Sequence, residues 1–127
     1  MAYSGNILSY ARKYSAAGDN SADQYTFFKR GAGDTVVQSD AGETAVGVLW
    51  NDPAVAGRTA VVIVGGEPNV YVGAGGVTVG DEIASDADGK GVTAVSTDVV
   101  LGIARETASA GGLVRIDFLG EAKYTKA

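Results

Sequence analysis

The sequence contains no cysteine and no histidine among its 127 residues. Without cysteine there are no disulfide staples and no thiolate zinc sites. Without histidine there is no imidazole base, which excludes Ser-His-Asp and Cys-His triads. Proline is scarce, with 2 residues, and Trp50 is the only tryptophan. Basic charge is scarce as well: 10 Lys and Arg stand against 15 Asp and Glu, a formal net charge of −5. Coating nucleic acid needs clustered Lys and Arg, so no direct nucleic-acid partner is expected. No run approaches the roughly 20 apolar residues that cross a bilayer, so no membrane partner is expected either. The start, Met1 to Leu8, lacks a basic stretch ahead of an apolar one and does not read as a secretory signal. Synthesis in a cytosol is the expectation.

What is abundant is glycine, 19 residues, interleaved with Val and Thr rather than spaced by three. That pattern points to many tight turns between short strands, not to collagen. The length suits one domain with one real core. Charge is distributed unevenly along it. Residues 1–30 carry Arg12, Lys13, Lys29 and Arg30 against Asp19 and Asp23, a net +2. Residues 31–122 carry 13 acids against Arg58, Lys90, Arg105 and Arg115, a net −9, and Lys123 and Lys126 close the chain. Both ends are basic and the middle is acidic.

Three parts follow: an N-terminal arm over 1–24, a β-barrel domain over 25–122 and a C-terminal tail over 123–127. In 1–24 the apolar positions Ile7, Leu8, Tyr10 and Tyr14 keep no sustained period, and a helix over 7–14 would be too short to stand alone in water. The segment is expected to order against another molecule. Four of the six tyrosines lie in the first 25 residues and Tyr124 lies in the tail, which favours a contact role for them.

From Tyr25 onward the hydrophobic period is two, the mark of half-buried strands. Candidates are Tyr25 to Lys29, Thr35 to Gln38, Ala45 to Trp50, Thr59 to Val64 and Asn69 to Val72. Val77 to Val79, Asp81 to Ala84, Gly91 to Val95, Val99 to Ala104 and Leu113 to Leu119 follow. Thr59 to Val64 is apolar on both faces and should be covered on both. Leu113 to Leu119 alternates most clearly, with Val114, Ile116 and Phe118 on one side. Asp86-Ala87-Asp88-Gly89 reads as a hairpin turn. Short strands at roughly 8–12-residue spacing, with no long helix, argue for an all-β barrel or sandwich.

The usual chemical motifs fail. Gly75-Gly76-Val77-Thr78-Val79-Gly80 has a P-loop's glycine spacing, but Asp81 and Glu82 stand where Lys and Ser or Thr belong. Gly73-Ala74-Gly75 begins a dinucleotide fingerprint that Thr78 leaves incomplete. Asp81, Glu82, Asp86 and Asp88 form an oxygen-rich run, yet the calcium-loop pattern lacks its closing Glu, so turn carboxylates are the better reading. No metal, no cofactor and no catalytic residue is expected; a carboxylate-dependent hydrolase is the one enzyme that composition leaves open. Arg105 with Glu106 and Arg115 with Asp117 read as surface pairs. Trp50 reads as a core anchor, with an interface hot spot as the alternative. Val77 to Ile83 also has the V-x-x-G-D-x-I shape of carrier-domain barrels, but Lys90, the nearby lysine, lacks their modification motif.

Residues 45–119 carry a further pattern: Asp52-Pro53-Ala54-Val55-Ala56-Gly57-Arg58, Val61 to Gly66, Val70 to Ala74, Val79 to Lys90, Gly102-Ile103-Ala104 and Ala108 to Val114. In that order these segments resemble the small head-decoration, or cement, proteins of tailed bacteriophages. The resemblance implies a compact β-barrel of the β-tulip type, acting as a homotrimer on the outer surface of a phage capsid. Such trimers sit at three-fold points and clamp neighbouring major capsid proteins. The N-terminal 44 residues do not align with that family. On this reading the contact residues are Tyr3, Ile7, Leu8, Tyr10, Arg12, Lys13 and Tyr14, and removing residues 1–20 should leave a folded barrel. The alternative is an adhesive module whose exposed loops, Gly73 to Gly76 or Asp86 to Gly91, bind a carbohydrate or a host surface.

Overall fold

The computed structural model describes residues 9–127. Among these residues every regular element is a strand except one 3₁₀ turn, Gly120–Ala122. The expected all-β class holds. The first half forms β1 (Ser9–Ala16), β2 (Phe27–Arg30), β3 (Thr35–Gln38), β4 (Gly47–Leu49) and β5 (Thr59–Gly66). Their pairing order is β1-β3-β2-β4-β5, and β5 returns to pair β1, so the five strands close into a barrel. Closure pairs the strand edges that an open sheet leaves to aggregation, except along Ser9 to Tyr14 of β1, which β3 does not reach.

The second half forms β6 (Asn69–Tyr71), β7 (Glu82–Ser85), β8 (Gly91–Thr93), β9 (Val99–Val100), β10 (Gly102–Ala104), β11 (Leu113–Phe118) and β12 (Tyr124–Thr125). The sheet continues from the barrel through Phe118↔Gly66 into β11, β10, β7 and β8, with β6 on β11. A single parallel bridge, Val72↔Gly91, brings the end of β6 against β8 and curls this second sheet around its own core. The two remaining strands, β9 and β12, make a small separate ribbon.

Neighbouring residues divide between the two cores because successive side chains in a strand point to opposite faces. Phe28 and Leu49 fill the barrel with Ala16, Val36, Ala60 and Val62. Phe27 and Val48, one residue away on the same strands, point into the second core with Val70, Ile83, Leu101, Val114, Ile116 and Phe118. Strands β2 and β4 are thus a shared wall, apolar on both faces. Burying each such large side chain stabilises the fold by about 1.5–3 kcal/mol. On β11, Val114, Ile116 and Phe118 are buried while Leu113 and Arg115 are exposed, as the alternation requires.

The structure departs from the sequence reading at both ends. The segment expected as an arm is, from Ser9 to Ala16, a wall of the barrel: it runs antiparallel to β5 from Ser9↔Gly66 to Ser15↔Thr59. Its end also pairs in parallel with β3 through Ser15↔Thr35 and Ala16↔Val36. Removing residues 1–20 therefore removes a barrel strand. Tyr124, expected in a free tail, pairs with Val100. The expected strand at Val77 to Val79 shrinks to one bridge, Val77↔Ala108. Val99 to Ala104 breaks at Leu101, whose side chain is buried and whose N–H donates to the Ile83 carbonyl at 2.8 Å.

Candidate interaction surface

Strand β1 carries four of the expected contact residues; Tyr3, Ile7 and Leu8 lie outside the described residues. The pairing with β5 sets their directions. Arg12 sits opposite Val62 and Tyr14 opposite Ala60, so both share the face of β5 that looks into the barrel. Tyr10, two residues before Arg12, lies on the same side by alternation, and a bulge that leaves Val64 of β5 without a partner sets it opposite Gly65. Gly65 leaves room for the ring: a Cβ on it would come within 2.6 Å of the Tyr10 ring and push that exposed side chain aside. Tyr10 remains 63% exposed. Tyr14 is half-buried against the barrel core, and the Arg30 guanidinium stands 5.2 Å from its ring centroid. That cation–π contact is worth about 0.5–1 kcal/mol at an exposed site.

Tyr10, Arg12 and Tyr14, with Val46, Val64 and the Leu119 to Lys123 segment, line a groove of about 550 Å³ at the mouth of the barrel. The mouth stays open because β3 pairs with β1 only at Ser15 and Ala16. Ser15 donates its N–H across that seam to the Asp34 carbonyl at 3.0 Å. A strand's period of two aims the Lys13 backbone the same way, into the gap where β3 has diverged. Its side chain is exposed on the opposite face from Arg12. The groove thus combines two tyrosines and an arginine of β1, whose free edge at Lys13 lies outside its lining.

The acidic run around residue 81 disperses rather than converging. Asp81 Oδ2 accepts from the Thr78 N–H at 2.9 Å and from the Thr93 hydroxyl at 3.0 Å. Asp86 Oδ1 closes its own turn, accepting from the N–H groups of Asp88 and Lys90 at 2.8 and 2.9 Å. Glu82 is held by the Lys126 ammonium and the Tyr124 hydroxyl. Those two hydrogen bonds, Lys126 first, hold the Glu82 carboxyl below the usual carboxylate range. The same contact pushes the Tyr124 phenol up. The surface arginines also choose partners other than those expected. Arg105 pairs with Asp117 at 3.0 Å and Arg115 with Glu67 at 3.4 Å, both across strands, while Glu106 accepts from the Arg115 backbone N–H.

The two loops weighed for adhesion differ in access. The Asp86 to Gly91 hairpin is seated on the barrel: Phe27 donates its N–H to the Gly89 carbonyl at 2.7 Å, and Gly89, at φ +73°, is buried. Gly75 and Gly76 instead border a shallow depression of about 470 Å³ with Thr78, Thr107 and Ser109.

Trp50 was expected in the core, but it is 54% exposed. Strand β4 ends one residue before it, and its ring stands at the rim of a small cleft with Tyr25 and Pro68. Composition did not reveal this cluster. Tyr25 reaches it by adopting φ +64°, one of two positive-φ non-glycine residues among those described, and nothing in Gln24-Tyr25-Thr26 announces that.

No family model matches the chain, and no curated protein matches it. Among solved structures it is similar to the head fibre gp8.5 N base of bacteriophage phi29, with a TM-score of 0.70 at 20% identity. The match covers 87% of this chain and 94% of that one. The likeness extends to the arrangement of the closed five-stranded barrel and its second curled sheet. The chain shares the fold of the phi29 fibre base nearly end to end.

Proposed function

We propose that the protein is a structural decoration (cement) protein of a phage head, without catalytic activity. On this reading it binds the outer surface of the capsid as a homotrimer and stabilises contacts between neighbouring major capsid proteins. The observation that carries the proposal is the chain-wide likeness of fold to the base of a phage head fibre. A stiff two-core body loses little entropy on docking.

The groove on β1 is the contact site in this proposal. An extended segment of a capsid subunit adds to the β1 edge beside Lys13, forming main-chain hydrogen bonds at low sequence specificity. Tyr10 and Tyr14 supply contact area, and Arg12 and Lys13 favour an acidic segment. Three such grooves per trimer act together, so a weak single contact becomes a firm one through effective concentration. A protein that binds only the assembled shell stabilises it by mass action.

The test is to mix purified protein with undecorated heads and image them by cryo-electron microscopy. Density on the outer surface at three-fold points, fitted by three copies with β1 toward the shell, is the expected result. Bare heads at saturating protein would overturn the proposal.

A further inference from the structure

We propose that the cleft beside Trp50 is a carbohydrate-binding site, on a different face from the groove of β1. The two lie on opposite sides of β5: Val64 lines the groove and Ile63 lines the cleft. The site is distinct from the proposed head contact and does not depend on it.

Two aromatic residues line it, Tyr25 and the exposed Trp50, together with Pro68. The Tyr25 ring is itself backed by Tyr71, 6.0 Å away between centroids at an interplanar angle of 56°. The backbone holds this arrangement under strain. A tyrosine at φ +64° occupies the left-handed region that disfavours any residue with a Cβ. It is kept there by two main-chain hydrogen bonds, its N–H donating to the Leu49 carbonyl at 2.7 Å and its carbonyl accepting from the Tyr71 N–H at 2.9 Å. Strain of this kind persists where the surrounding structure over-determines it, and it clusters at ligand sites. Next door, the Gln24 amide donates to the Trp50 carbonyl at 2.7 Å. Asn51 bridges β5, donating to the Thr59 carbonyl and accepting from the Val61 N–H, both at 2.9 Å. The indole is therefore carried on a fixed stretch of chain.

The lining is also polar: Glu67 and Asn69 belong to it, and Arg115 pairs with the Glu67 carboxylate at 3.4 Å. The cleft encloses about 160 Å³, room for a single sugar ring. A pyranose has an apolar C–H face and a rim of hydroxyls. The first suits an aromatic wall, and the second suits a carboxylate and an amide at the rim. A protein partner fits less well. A stable interface covers about 800 Å² on each side, whereas the apolar ledge gives way at once to Asn51, Glu67, Asn69 and Arg115.

Trp50 is the only tryptophan, so its emission reports on this cleft alone. The experiment titrates the full chain with oligomers of N-acetylglucosamine, glucose, galactose and mannose into the millimolar range. A saturable change in Trp50 emission with at least one of them is expected. Tyr25→Gly removes the ring while accepting the positive φ, so the fold is kept; it should weaken that binding by roughly tenfold or more. Calorimetry with Trp50→Ala should show the same loss, and Tyr10→Ala, on the other face, should leave sugar affinity unchanged. The proposal is overturned if no oligomer gives a saturable response or if Tyr25→Gly binds as tightly as the natural chain. It is equally overturned if Trp50 emission shifts only with protein concentration, since a second copy then occupies the ledge.

Discussion

The two ends of the chain look alike in composition and differ in construction. Each is basic against an acidic middle and each carries tyrosine. The N-terminal end supplies an eight-residue strand that closes a barrel, paired with β5 along nearly its whole length. The C-terminal end supplies a two-residue strand, Tyr124–Thr125, extended by main-chain hydrogen bonds of Lys126 with Thr97 and Asp98, and the side chains of Tyr124 and Lys126 fasten it to Glu82. Charge and polarity therefore do not separate body from tail. What separates them is how much backbone pairing depends on the segment: β1 pairs β5 from Ser9 to Ser15, whereas β12 pairs β9 at Tyr124 and Thr125 alone.

Breaking the comparison at its strong side gives the largest effect. Deleting residues 1–16 strips β5 of a neighbour and uncovers Ala60 and Val62 in the barrel core. Thermal unfolding followed by circular dichroism should then show no cooperative transition. Survival of a sharp transition would mean that β1 is dispensable after all. Next in size is the barrel core that β1 covers. Phe28→Ala should cost about 3–5 kcal/mol in denaturant unfolding, since the side chain is fully buried and the closed barrel cannot collapse onto the cavity. Tyr14→Ala should cost less, about 1–2 kcal/mol, because the ring is half-buried and loses chiefly its packing and the Arg30 contact.

The smallest effect sharpens the comparison from the other end. Glu82 titrates below its ordinary range when folded, so its clasp on Lys126 and Tyr124 contributes above the unfolded carboxyl value. That contribution is lost as pH falls through the lower, folded value. Tyr124 titrates above the ordinary phenol range, so its share is present below that range and lost as pH rises through the raised value. The protection factor of the Lys126 amide, which donates to the Asp98 carbonyl, should be highest between these limits once the intrinsic pH dependence of exchange is divided out, with the midpoint of global unfolding scarcely moved by Tyr124→Phe. A large fall in that midpoint would show the clasp to be part of the core.

The central part of the fold was legible in the sequence wherever alternation was aliphatic. Strand β3 falls at Thr35–Gln38 as expected, and Val114, Ile116 and Phe118 point inward as expected. Strand β1 was not legible because its barrel-facing positions are Tyr10, Arg12, Tyr14 and Ala16. An arginine at an open mouth and an alanine in a tight interior hide a period of two that Val or Ile would have declared. The candidate contact residues were brought together only in part. Tyr10, Arg12 and Tyr14 do converge on one groove, whereas Lys13 faces away from it. The Trp50 cleft was illegible for a different reason: it is assembled by the backbone of Tyr25, and a dihedral angle leaves no mark on composition.

The account rests on β1 being both a wall of the barrel and the strand that grips the shell. Co-sedimentation of the double variant Tyr10→Ala, Arg12→Glu with undecorated heads tests this most directly. Neither side chain is buried, so the variant should unfold within about 0.5 kcal/mol of the natural chain. The account predicts that the natural chain pellets with the heads and raises the temperature at which they release their genome, while the folded variant stays in the supernatant. Equal decoration by both proteins would contradict it.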